Sequence, residues 1–338
     1  MFFNLLLSLK KASKSIVPLF IKRRARKIVM PFFAKKRLRE WDGMPDIVLI
    51  ENTNLCNAKC VMCPNIKMKR KKDVMSFNLY KKIIDECKTF GIQRIQLAGT
   101  GEPLIDPLLF ERISYAKKIG IKEVNIFTNA SLLNKEKQEN LLMSGVDLVH
   151  LSIDSFTRET YEKIRCGLFF EEVKENVLSF LRMKKERKYS KPFIVVGGLR
   201  VKGYLSDYLK SDFHKEVEKL CDLVWIGKEE DTHNWAGSVE KINSEFSVSY
   251  NFPCRRLWAS LSVLWDGKVS LCCIDYEGSM ILGDVNKQSI IDIWNSKRFN
   301  EIRQNHLHLQ FNKIALCKNC YERPSWIPKR PERVLTNL

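Results

Sequence analysis

From Pro45 to about residue 235 the chain alternates short apolar runs with longer segments of helical period, and this repetition restricts the fold more than any single residue does. DIVLIENT, RIQLAG, EVNIFTNA, LVHLSID, FIVVGGLRV and LVWIGK read as strands. Between them lie the helical patterns SFNLYKKIIDECKTFG, with Ser76 as its cap, LLFERISYAKKIG, KEKQENLLMSG, RETYEKIRCG with FFEEVKENVLSFLRMKKERK, and LKSDFHKEVEKLCD. Six such units imply a parallel sheet, curled into a full or partial barrel. A flat doubly wound sheet is the alternative. No glycine-rich phosphate fingerprint follows the first strand, which argues against a dinucleotide fold. In curled sheets of this kind ligands gather at the carboxyl ends of the strands.

Beyond residue 235 the text changes. Short segments and a hairpin-like LSVLWDGKVSLCC with a DG turn replace the alternation. The boundary is expected in the polar stretch AGSVEKINSEFSVSY, residues 236–250. A chain of 338 residues has room for about two domains.

Eleven cysteines are unevenly placed. They are clustered, odd in number and accompanied by no recognisable export signal, which argues for thiolates in a reducing cytoplasm rather than disulfides. Cys87, Cys166 and Cys221 sit in apolar helical patterns and read as core fillers. Cys56, Cys60 and Cys63 follow the first strand directly, in a C-x3-C-x2-C loop at the end where ligands gather. Soft sulfur suits iron or zinc, and three protein thiolates leave one metal position open. A zinc site completed by a distant fourth ligand is the plain alternative.

With that loop in this place, the chain resembles the radical S-adenosylmethionine enzymes. AGTGEPLI, residues 98–105, is similar to the family's GGEP segment after the second strand. FTNASLL, from Phe127, resembles its TNG segment, with Ala130 where glycine is usual, and LSIDS, residues 151–155, falls where the family contacts ribose. The resemblance implies a partial (β/α)6 TIM-like barrel and a 4Fe-4S cluster on Cys56, Cys60 and Cys63, its bare iron chelated by S-adenosylmethionine. It further implies Gly99, Gly101, Glu102, Asn129, Ser152 and Asp154 as cofactor contacts. Glu102 would accept from the methionyl ammonium, and Ser152 and Asp154 from ribose hydroxyls. Electron transfer into such a site yields a 5'-deoxyadenosyl radical that removes hydrogen from an unactivated carbon.

Cys254, Gly267, Cys272, Cys317 and Cys320 resemble the SPASM or twitch extension of these enzymes, and ILGDVNKQSIIDIWNSKRFNEIR is like its linking segment. No cysteine follows Cys320. Four ligands close one site, so the resemblance implies a single auxiliary 4Fe-4S cluster on Cys254, Cys272, Cys317 and Cys320, with electron acceptance as its role. Zinc is the alternative by ligand type alone. Cys273 is expected to point away from its neighbour by strand parity.

Parity also places His150 on the face of Ser152 and Asp154, where its ordinary pKa would suit proton transfer, with Glu51, Gln96 and Asn125 in reach of the interior. Polar core filling is the bland reading of each. His214, His233, His306 and His308 lie outside the motif strands and receive no role.

The expected organisation is a basic amphipathic N-terminal extension over 1–44, the radical core over 45–235, the auxiliary-cluster region over 236–325 and a tail over 326–338. Residues 1–40 hold twelve Lys and Arg against one acid, more than half of the net +19. The apolar runs of this arm are too short to span a bilayer, but the pattern suits an amphipathic helix on the anionic inner face of a membrane. A helix that merely caps the main domain is the bland alternative. The substrate expected is a small molecule, sugar, cyclitol or glycan precursor, with a peptide as the alternative, and the reductant a flavodoxin or ferredoxin. Nucleic acid is not expected, because no RNA-binding module is recognisable. A non-enzymatic zinc protein would explain the cysteines but neither GTGEP nor LSIDS.

Overall fold

The computed structural model describes Leu38, residues 43–199, 211–227, 253–318 and Cys320. Nearly all of the basic arm, and the whole of the 236–250 boundary and the 326–338 tail, lie outside those residues. The first part runs β1 (Ile47–Ile50), α1 (Phe77–Thr89), β2 (Arg94–Leu97), α2 (Leu109–Ile119), β3 (Glu123–Thr128), α3 (Lys135–Met143), β4 (Leu148–Ser152), α4 (Arg158–Ile164), α5 (Phe170–Glu186), β5 (Phe193–Gly198), α6 (Asp212–Leu220) and β6 (Leu223–Ile226). The second runs α7 (Arg256–Ala259), β7 (Ser260–Val263), β8 (Lys268–Ser270), β9 (Ile281–Asp284), α8 (Ile290–Trp294), α9 (Lys297–Leu307) and α10 (Ala315–Lys318).

The sheet order is β6-β5-β4-β3-β2-β1-β7-β8-β9, with β1 to β6 pairing in parallel as the alternation predicts. Alternate residues serve the two faces. Val48, Ile50, Ile95, Leu97, Ile126, Val149 and Leu151 are buried on the side of the helices. Leu49, Gln96, Phe127, His150, Trp225 and Ser262, from β1, β2, β3, β4, β6 and β7, all line one cavity. Strands this far apart in the order reach one cavity only if the sheet curls, so the fold is a partial barrel rather than a flat sheet.

The hairpin of the second part extends this sheet. β7 pairs with β1 in parallel, Leu49 opposite Ser262, before turning antiparallel into β8 at a glycine with φ of 89°, Gly267. The second cysteine region is therefore carried on the first strand's free edge, opposite β2. No helix among the described residues is long and apolar enough to cross a membrane.

Helix α1 shows how the pattern becomes structure. Ser76 accepts from the Leu79 amide as N-cap, and Tyr80, Ile83, Ile84 and Cys87 form its buried stripe. Its N-terminus is tied to α2 through Arg112, whose Nε pairs with Asp106 Oδ2 at 2.7 Å, neither side chain having any exposure. Arg112 also donates to the Met75 carbonyl, and Asn52, just past β1, donates to Asp106 at 2.9 Å. A buried pair of this kind stabilises little against an apolar pair, but losing one partner strands the other. Arg112→Leu is expected to cost about 3–5 kcal/mol and Asp106→Leu/Arg112→Leu distinctly less, read from urea unfolding midpoints; a double variant as unstable as the sum of the singles would contradict it.

Candidate functional site

The loop bearing Cys56, Cys60 and Cys63 has little regular structure of its own, and neighbouring loops hold it through its backbone. The Glu102 amide donates to the Leu55 carbonyl at 2.8 Å, and Asn65 donates to the Thr100 carbonyl at 2.6 Å. On the far side the Lys59 and Val61 amides donate to the Cys166 and Ile164 carbonyls, at 2.8 and 2.9 Å, pinning the loop to the end of α4. Asn57 bridges to the loop after β3, donating to Ser131 Oγ at 2.8 Å and accepting from Asn129 Nδ2 at 3.1 Å.

These loops floor a cavity of about 460 Å³. All three thiols line it, and so do Gly99, Gly101, Glu102, Asn129, His150, Ser152 and Asp154. Glu51 and Gln96 also reach it. Asn125 does not: it donates to Glu123 at 2.8 Å, and its buried Oδ1 has no hydrogen-bond partner. From the opposite wall come Arg256, Ser262, Ser270, Cys272, Cys273 and Tyr276, so one cavity meets both cysteine regions.

Several expected contacts are already engaged within the chain. Glu102 is fully enclosed: Oε1 accepts from Leu104 N at 3.0 Å and Thr128 Oγ1 at 2.6 Å, and Oε2 from Asn129 N at 2.8 Å. Burial raises its pKa against those donors. One lone pair of Oε2 is left for an ammonium. Gly101 serves a close approach to protein, because a Cβ there would overlap the Thr53 carbonyl, and a Cβ on Gly99 would press on the Glu51 side chain. Asn129 accepts from Ser131 N and Oγ, shaping its own turn. The next residue, Ala130, stands at φ 62°, the left-handed region that explains the glycine usual there.

Asp154 has a second task. Its Oδ2 accepts from Arg165 Nε at 2.7 Å and its Oδ1 from Leu199 N at 2.8 Å, so the carboxylate anchors a cation while each oxygen keeps a lone pair. Arg165, just past α4, is the residue that sequence reasoning missed; nothing in IRCG separates it from the many surface basic residues. Burial acts to lower its pKa, but Asp154 and the Cys60 thiol outweigh that and raise it. It is a fixed positive charge on the cavity wall beside the cysteine loop.

His150 also differs from expectation. It stacks on Phe127, ring centroids 4.8 Å apart, meets Trp225 edge-on, and places Nδ1 3.3 Å from Ser152 Oγ. Burial first, then the Arg165 charge, pushes its pKa down to about 4. The neutral ring suits hydrogen bonding; the proton-transfer role inferred from an ordinary histidine pKa does not survive its burial.

Burial pushes the Cys56 thiol up to about 12 and Cys63 to about 11, and raises Cys60. Thiols so placed ionise when a cationic centre binds them. The second set, Cys254, Cys272, Cys317 and Cys320, lines a separate, mostly apolar space of about 20 Å³ with Leu257, Leu271, Ile274 and Leu316 and with Arg256 and His306, so an occupant must displace side-chain atoms that now fill it. Burial and then Cys273 raise the Cys272 pKa. β8 ends at Ser270, so Cys272 and Cys273 sit past the strand and parity does not apply to them: both line the large cavity, but only Cys272 lines the smaller space, and Cys273 is exposed. Cys87 is buried, but Cys166 and Cys221 are only half-buried. Among the described residues no three His, Cys, Asp or Glu side chains converge on one ion position. What supports clusters here is soft sulfur chemistry in enclosed surroundings, which fits iron-sulfur groups at both thiol sets.

Comparison with known proteins agrees with both halves of this geometry. Residues 50–199 match the Radical SAM superfamily, and residues 254–321 match the iron-sulfur cluster-binding domain SPASM. The tungsten-containing aldehyde ferredoxin oxidoreductase cofactor-modifying protein of Pyrococcus furiosus is 25% identical, over 80% of this chain and 87% of its own length. A probable GTP 3',8-cyclase of Methanococcus maripaludis is 37% identical over 37% of this chain; the match spans 42% of that relative. Among solved structures, BtrN in complex with AdoMet and 2-DOIA aligns with 84% of this chain and 99% of its own at TM-score 0.58 and 20% identity. Streptococcus suis SuiB bound to precursor peptide SuiA aligns with 95% and 83% at TM-score 0.62 and 15% identity. At these identities the two structures attest the fold.

The His150 environment has a pH signature. The unfolded imidazole takes a proton near pH 6.5 and the folded one only near 4, so the unfolded state binds more protons between these values. Stability from this residue is therefore complete above pH 6.5 and is lost as pH falls toward 4, by about 2 kcal/mol between pH 7 and 5. His150→Phe is expected to flatten urea stability against pH by that amount over the interval; equal pH slopes in the two proteins would contradict it.

Proposed function

Because the chain belongs to the radical S-adenosylmethionine superfamily and carries its SPASM iron-sulfur domain, we propose that this enzyme oxidises a hydroxylated small molecule: a sugar, a cyclitol or a glycan precursor. The observation that carries the reading is one cavity lined by Cys56, Cys60 and Cys63 on one wall and, on the other, by Cys272 of the second set beside Ser262 and Ser270. Cys56, Cys60 and Cys63 would hold one 4Fe-4S cluster with an open iron, and Cys254, Cys272, Cys317 and Cys320 a closed one. When bound, the first cluster with S-adenosylmethionine would supply a 5'-deoxyadenosyl radical that takes one hydrogen atom and the second an acceptor for one electron, so that with release of the hydroxyl proton to water a carbinol becomes a carbonyl.

The chain's own residues do the positioning. Arg165, held by Asp154, offers a fixed cation to a carboxylate, and the remaining lone pair of Glu102 accepts from an ammonium. These two groups together recognise the zwitterionic end of an amino acid. Ser152 and the neutral His150 orient hydroxyls by hydrogen bonding, and Glu51, Gln96, Ser262 and Ser270 give the wall toward the second cysteine region a polar character suited to a polyol. Glu51 is pre-set by its ion pair with Arg70. The basic arm over 1–44 fits an anionic membrane surface presenting a carried glycan. BtrN with 2-DOIA and SuiB with its peptide mark the two substrate classes that this fold accommodates in other proteins. The polar side chains of Glu51, Gln96, Ser262 and Ser270 on the cavity wall favour the first.

The reading is tested with anaerobically reconstituted enzyme, S-adenosylmethionine, a reductant and a panel of perdeuterated hexoses and cyclitols. Deuterium is expected in 5'-deoxyadenosine, with one carbonyl product formed per 5'-deoxyadenosine. Deuterium acquired from a labelled peptide and from no polyol would overturn the substrate class.

A further inference from the structure

His306 carried no signal in the sequence, yet it occupies the second cysteine site. It lies in the last turn of α9, wholly buried, with Phe311 edge-on at a centroid distance of 5.0 Å. Two polar contacts fix its ring. The Cys254 amide points at Nδ1 from 3.1 Å, and Nε2 lies 3.4 Å from Cys317 Sγ. A backbone amide only donates, so Nδ1 is the acceptor and carries no proton. The neutral ring then bears its hydrogen on Nε2, directed at sulfur. An imidazolium would set one N–H against another, and a ring ligating metal through Nε2 would have to carry its proton on Nδ1, where the amide already is.

We propose that His306 raises the reduction potential of the second iron-sulfur site by donating an N–H···S hydrogen bond to the Cys317 thiolate. This rests on the reading of Cys317 as a ligand there. Reduction adds negative charge to a cluster and its thiolates, and a hydrogen bond to a ligand sulfur stabilises that charge more in the reduced state than in the oxidised one. Leu257, Leu271, Ile274 and Leu316 keep water away, which strengthens the effect of a donor aimed at sulfur. Arg256 also lines this space and its charge acts on Cys272, so the His306 contact is distinguished by its direction at Cys317. The same ring holds Cys254 by its backbone, so it joins two of the four cysteines from opposite ends of this region, 52 and 11 residues away. His306 is a positioning residue: it acts on the electron acceptor through a ligand and touches no substrate.

The test uses the full-length chain with Cys56, Cys60 and Cys63 replaced by Ala, so that only the second site is loaded. Iron and sulfide per chain and an EPR-monitored redox titration are compared for that parent, His306→Leu and His306→Gln. All three are expected to hold about four irons. The Leu variant should titrate at a more negative potential, with the reduced-to-oxidised ratio at fixed potential about tenfold lower, about 59 mV for one electron. The Gln variant, which keeps an N–H donor, should fall between. Retained iron with an unchanged potential overturns the proposal, as does loss of iron in both variants, which would make His306 a ligand. A parent without iron would instead remove the assignment of the four cysteines. Should the variants fail to fold, the parent labelled with 15N-histidine decides. A weak nitrogen coupling to the reduced cluster is expected, whereas none, or one strong enough for direct ligation, overturns the proposal.

Discussion

The site depends on the buried carboxyl of Glu102. Its two oxygens take donors from Leu104, Thr128 and Asn129, and its own amide donates to Leu55, so one residue fastens the loops after β1, β2 and β3 to each other. A carboxyl withdrawn from water is costly unless donors surround it, which makes this junction intolerant of rearrangement. The cysteine loop needs that rigidity from outside, because a run such as CNAKCVMC has no helix or strand to order it. Gly101 completes the junction by allowing the GTGEP backbone to lie against Thr53, where any side chain would collide. The resemblance to related enzymes assigns these residues to a bound ligand. Here they build the loops first and present to the cavity only what is left over.

The second constraint is the pairing of β7 with β1. Parallel hydrogen bonding sets Ser262 beside Leu49 and continues the curled sheet past its first strand. The turn after β8 then brings Cys272 and Cys273 to the wall facing Cys56, Cys60 and Cys63. Of the second set, Cys272 lines both this cavity and the smaller space that holds Cys254, Cys317 and Cys320. Within this frame the charged groups are sorted: Arg165 with Asp154 beside the cysteine loop, Arg70 with Glu51 toward the second region, and a neutral His150 between aromatic rings.

Much of this was readable from the amino-acid sequence because it depends on local periodicity and on spacing along the chain. The six strands, the Ser76 cap and the burial stripe of α1 follow from patterns within a dozen residues. The interior placement of Glu51, Gln96, His150 and Ser152 follows from the two-residue repeat of a strand. The misreadings occur where tertiary neighbours decide. Asn125 obeys strand parity but is claimed by Glu123, and Cys273 stays out of the second cysteine set although the strand that was to orient it stops at Ser270. Asp154 was expected only as an acceptor for ribose hydroxyls, and its hold on Arg165, eleven residues later, had no sequence signal. His150 loses its basicity to burial and to that same arginine. His306 was invisible because its two partners are 52 and 11 residues away and neither contact has a sequence period.

The central claim is that the two thiol sets hold two separate iron-sulfur clusters on opposite sides of one cavity, the first of them initiating radical chemistry. Iron and acid-labile sulfide per chain after anaerobic reconstitution, compared between the native protein and the Cys56→Ala, Cys60→Ala, Cys63→Ala triple variant, test it most directly, with 5'-deoxyadenosine release assayed alongside. About eight irons falling to about four, with release abolished, is the result this account requires. About four irons in the native protein, vanishing in the variant, would mean that Cys254, Cys272, Cys317 and Cys320 hold no cluster and would contradict it.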